Sequence, residues 1–114
     1  MKKLIFLGIF LFIFSGVYGQ TRLENRWILG IWVGTDASNR KYELVLNDNG
    51  TGIWNEQEII FAIEGNMIIL YSTNGNSLID QITIHRINDQ RIIMNPRVVT
   101  GGNLRVLVNF NKVN

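Results

Sequence analysis

The chain has no cysteine. No disulfide can staple it and no thiolate can hold a metal, so the fold must stand on packing alone. It has one histidine, His85, so a zinc site would have to take its other ligands from carboxylates. It has one proline, Pro96, which excludes a proline-rich linker. The longest unbroken apolar run, Leu4 to Phe14, is 11 residues, short of the roughly 20 a membrane-spanning helix needs. No run of Lys and Arg longer than two occurs, so neither nucleic acid nor an acidic membrane surface has an electrostatic footprint to meet. Low-complexity tracts and serine-glycine hinges are missing as well.

What is present begins with the order of the first 19 residues. Met1-Lys2-Lys3 is positive, Leu4 to Phe14 is apolar, and Ser15-Gly16-Val17-Tyr18-Gly19 is small and weakly polar. That is the layout of a secretory signal peptide, with Val17 and Gly19 at the small-residue positions and the cut expected before Gln20. Residues 1–19 are therefore read as a signal peptide and 20–114 as one domain, secreted or periplasmic, with no membrane span after cleavage. No cysteine follows the apolar run, so lipid attachment there is excluded. Charge changes with the cut. The whole chain has 11 Lys+Arg and 9 Asp+Glu; losing Lys2 and Lys3 leaves 9 of each and no net charge.

After Gln20 the hydrophobic period is two. Tyr42, Leu44 and Leu46 alternate with Glu43, Val45 and Asn47. The same pattern runs through Ile59–Ile63, Met67–Tyr71, Ile82–Ile84 and Leu104–Phe110. Strands with one face on a core have this period. Between the runs stand Asn47-Asp48-Asn49-Gly50, Glu64-Gly65-Asn66, Asn74-Gly75-Asn76, Asn88-Asp89-Gln90 and Gly101-Gly102-Asn103. Gly and Asn accept the positive φ of tight hairpins, and connections this short join antiparallel neighbours. The expected fold is all-β: an antiparallel up-and-down meander of seven to eight strands closing into a small barrel, which removes its edges. A short N-terminal helix is expected first. Thr21-Arg22-Leu23-Glu24 fits a capping box, Leu23 and Trp27 share a face, and Gly30 is a natural stop.

At Leu29-Gly30-Ile31-Trp32 the chain resembles the lipocalin-like proteins, which open with a helical turn and then Gly-x-Trp on the first strand. Small bacterial lipocalin-like domains also carry a strand, an Asn-Gly turn, Thr-Gly and an aromatic. Tyr42 to Leu46, Asn49-Gly50-Thr51-Gly52 and Trp54 fit that order. The resemblance implies a barrel end closed by Trp27, Gly30 and Trp32, with Arg105 stacked over Trp32 as the last-strand arginine of the family.

Two functional readings follow. In the first, Trp32, Tyr42, Trp54, Phe61, Met67 and Tyr71 line a cavity for a small apolar ligand or lipid. In the second, the interior is filled and the barrel is a protein-interaction or self-association module. It would then associate, as a homodimer for instance, through an apolar outer face of Ile60, Ala62, Ile68, Leu70, Ile93 and Leu107. An enzyme is not expected. His85 alternates onto the wet face, with Asp80 and Asp89 near in sequence but no nucleophile beside it. Glu56 and Glu58, two apart on one face, read as a solvated strand edge. Asn49-Gly50-Thr51 matches a glycosylation sequon, but the turn already explains those residues. No cofactor is implied. The exported protein is expected to begin at Gln20, which N-terminal sequencing of the mature product checks; a start at Met1 would show an uncleaved leader.

Overall fold

The computed structural model describes residues 23–98 and 104–113. The expected leader and its cut, the Thr21 cap and the Gly101-Gly102-Asn103 turn lie outside the described residues. The described part of the N-terminal segment is one 3-10 helix, Leu23–Ile28. Gly30 then turns the chain into the first strand at φ 130, a conformation glycine adopts without a Cβ penalty.

Eight strands follow: β1 (Gly30–Thr35), β2 (Lys41–Leu46), β3 (Thr51–Trp54), β4 (Gln57–Glu64), β5 (Met67–Tyr71), β6 (Leu78–Asn88), β7 (Arg91–Met94) and β8 (Val108–Lys112). Each pairs antiparallel with the next, and β8 pairs with β1, so the meander is a closed barrel. The helix, the 47–50, 65–66 and 89–90 turns and the end of β8 lie at one end, the helix end. The 36–40, 55–56 and 72–77 connections and the segments 95–98 and 104–107 lie at the other, the loop end. The β3–β4 turn has both Asn55 and Glu56 at positive φ, as a type I′ hairpin requires.

The inward faces are apolar except for Asp80 on β6. Trp32, Leu44, Ile68, Leu70, Ile82, Val108 and Phe110 have 0% exposure, and Tyr42, Leu46, Ile59, Phe61, Ile92 and Met94 are buried in the same cluster. An eight-stranded barrel is just wide enough for its own side chains to fill it.

Two strands depart from the expected pattern. In β5 the inward residues are Ile68 and Leu70, so Met67 and Tyr71 stand on the outer face and Ile68 and Leu70 leave the expected outer patch. All five β5 residues are apolar, so their own alternation carries no register. Partners set it. Directly paired residues share a face, and Met67 pairs with exposed Glu64 while Ile68 pairs with buried Ile82. At the C-terminus, β8 starts at Val108; Leu104 to Leu107 belong to the connection, touching it through one Arg97–Arg105 bridge.

Closure depends on close approaches at two glycines. A Cβ on Gly34 would lie 2.4 Å from the Asn109 carbonyl oxygen, and one on Gly52 would lie 2.0 Å from that of Val45. Both obstacles are backbone. Gly34→Ala and Gly52→Ala are each expected to destabilise the barrel by about 1–3 kcal/mol, as overpacking does. Denaturant unfolding, with exposed Val33→Ala as the reference, measures it; parental stability in both glycine variants would contradict the geometry.

Candidate functional site

The helix end is built around Trp32. Its indole N–H donates to the Ile28 carbonyl at 2.7 Å, inside the core. Trp27 meets Trp32 edge-on, ring centroids 6.4 Å apart. The Lys112 ammonium, from β8, sits 5.2 Å over the Trp32 ring and donates to the Trp27 carbonyl at 2.6 Å. The Arg86 guanidinium covers Trp27 at 4.0 Å. The order across this end is therefore cation, indole, indole, cation. Cation–π contacts of this kind contribute about 0.5–2 kcal/mol each.

Trp27, Gly30 and Trp32 thus stand at the end where barrel closure was expected, but the cation over Trp32 is Lys112. Arg105 is at the opposite end. Its guanidinium donates to Asp80 Oδ1 at 2.8 Å and to the Asn95 carbonyl at 2.9 Å. The correction follows from the β8 register, which pairs Trp32 with Lys112 and leaves Arg105 in the loop-end connection.

Of the expected cavity residues, Trp32, Tyr42, Trp54 and Phe61 point inward and Met67 and Tyr71 do not. Tyr42, Trp54 and Phe110 form a three-ring cluster with centroids 6.1 to 6.5 Å apart. All three rings are buried in the core, Phe110 completely.

The loop end is held by two buried aspartates. Asp36 accepts from the amides of Ser38 and Arg40, from the Arg40 guanidinium at 3.0 Å and from the Tyr42 hydroxyl at 2.9 Å. Asp80 faces inward on β6 and accepts from the Arg97 amide as well as from Arg105. It fastens Arg97 and Arg105, on the two described sides of the β7–β8 connection, to β6. The sequence carried a signal for each. Asp80 stands in phase with inward Ile82 and Ile84, and Asp36-x-Ser38 is an Asx-turn pattern.

The remaining candidates do not converge. His85 is outward on β6, Asp80 is committed to Arg105 and Arg97, and Asp89 pairs with Arg86. Glu56 occupies the β3–β4 turn while Glu58 is exposed on β4. Asn49 accepts from the Thr51 hydroxyl and amide within its turn. Among the described residues no cluster of histidine and carboxylates is placed to hold a metal.

Outside, apolar residues continue from strand to strand. Ile31 pairs with Val45 and Val45 with Ile53; Ile60 pairs with Tyr71 and Ala62 with Ile69; Tyr71 pairs with exposed Leu78. Ile53 and Ile60 are diagonal neighbours between the two groups, with Glu58 and Thr51 as the residues directly facing them. Ile60, Ala62 and Ile93 are half-buried on outer faces, and Leu107 is exposed in the connection before β8.

No family model, curated protein or solved structure matches the chain. Among the described residues no helix is long and apolar enough to cross a membrane.

The electrostatics at Asp36 make a pH prediction. Burial alone pushes its carboxyl up, but the hydrogen bonds from Arg40, Tyr42 and Ser38 outweigh that and hold it below its ordinary value of 3.8. A depressed folded value stabilises the fold above the unfolded value and loses that contribution as the pH falls through the folded one. Asp36→Asn is therefore expected to melt below the parent at neutral pH, with the gap closing as the pH drops below 3.8. Thermal melts across that range check it; a gap independent of pH would refute the assignment.

Proposed function

We propose that the mature chain is an exported, lipocalin-like β-barrel with a filled interior, a non-enzymatic module that associates through its outer wall. The observation that carries this is the contrast between the two faces. Inward side chains such as Trp32, Leu44, Leu70, Val108 and Phe110 are fully buried, while the outer wall carries apolar groups on β1–β3 and on β4–β6, with Val33, Ile53 and Leu78 exposed. Contiguous apolar surface on a small protein marks an interaction site. The lipocalin-like part of the proposal is supported by Gly30-Ile31-Trp32 at the start of a closed eight-stranded meander. Export is supported by the order of the first 19 residues.

Self-association is the form of this reading tested first. The mature chain is expected to show concentration-dependent association by sedimentation, lost in the Ile53→Lys, Ile60→Lys double variant with unchanged far-UV spectrum. A protein that stays monomeric at every concentration while carrying a co-purified apolar molecule would overturn the proposal in favour of a calyx.

A further inference from the structure

The helix end holds a notch that the outer-wall reading does not use. It has a volume of about 360 Å3 and lies between the 3-10 helix, the β4–β5 turn and β6. That is near the lower limit for small-molecule sites. Its wall is Trp27, and Ile28, Ile63 and Ile84 give it an apolar floor. Its rim is polar: Asn25, Asn66, His85 and Arg86. The side chains of Asn25, Asn66 and His85 make no hydrogen bond to any described residue. Gly65 leaves the mouth open, with nothing within 4 Å of where a Cβ would stand.

We propose that this notch binds a small monocarboxylate with an apolar body. The isoleucines and the Trp27 edge take the hydrocarbon, as apolar floors do. Arg86 takes the carboxylate. Its stacking on Trp27 fixes the guanidinium plane, and a guanidinium offers five N–H donors in a fork that matches a carboxylate. Asp89 uses only Nη2 of that fork, from an exposed position where solvent screens the pair. The amides of Asn25 and Asn66 and the His85 ring stand ready as further partners. A cationic ligand of the same shape would meet Arg86 as a like charge. A neutral one would leave the fork unanswered.

The test uses octanoate, with octylamine and octanol as matched probes, titrated calorimetrically into the mature chain while amide shifts are followed by NMR. Octanoate is expected to bind saturably and to shift Asn25, Asn66 and Arg86; octylamine is expected not to bind. Arg86→Gln is expected to weaken octanoate at least about tenfold by removing the charge-assisted contact. Asp89→Asn, which removes the competing carboxylate, is expected to tighten it. Asn66→Trp fills the mouth from an exposed turn and is expected to abolish binding in a protein whose melting temperature is unchanged. Equal binding of the three probes, shifts confined to another part of the barrel, or Asp89→Asn without effect would each overturn the proposal. The outer-wall reading stands or falls separately, on sedimentation of the unliganded protein.

Discussion

Trp32 joins the N-terminal helix to the last strand of the barrel. Its indole N–H is satisfied by the carbonyl that ends the 3-10 helix, its face carries an ammonium from the last strand, and its edge receives Trp27. A helix of six residues has no stability of its own. It exists here because it plugs a barrel whose floor is an indole with one donor to place. Lys112 belongs to the same arrangement, since its ammonium is held by the carbonyl of the plug while it lies over the ring of the floor. Removing any one of the three would leave a buried polar group, an unsupported helix or an open barrel end.

The aromatic cluster of Tyr42, Trp54 and Phe110 occupies the space toward the loop end, and the Tyr42 hydroxyl reaches Asp36 at the rim. Core and mouth are thus one hydrogen-bonded unit. The two ends differ in chemistry. The loop end has carboxylates holding arginines, whereas the helix end has cations over aromatic rings.

The meander, its turns and its closure were legible in the residues, because alternating strands and Asn-Gly punctuation each limit the topology in the same direction. Register was legible only where polar residues marked the wet face. β2 and β6, with Glu43, Gln81 and Thr83 outward, could be read directly. β5 could not, since Met67 to Tyr71 is apolar on both faces and its orientation comes from Glu64 across the turn. The cation over Trp32 was hidden for a related reason. Both Arg105 and Lys112 lie near the end of the chain, and only the strand boundary at Val108 decides which one reaches the helix end. The aspartates that hold the loop end could be seen as residues but not as anchors, because their partners are separated from them by turns or by most of a hairpin.

The seam between β1 and β8 joins the first strand of the domain to the last. Every other neighbour in the barrel is also a neighbour in sequence, so seven of the eight pairings can form locally as the chain emerges. The eighth cannot, because its loop is nearly the whole domain, and closing so long a loop costs entropy that only the finished contacts return. Lys112 must arrive before Trp32 is covered. A chain emerging N-terminus first would therefore remain an open, incompletely paired ribbon and acquire its single core only after its last residues were free. With no cysteine in the chain, nothing covalent can lock a half-closed form.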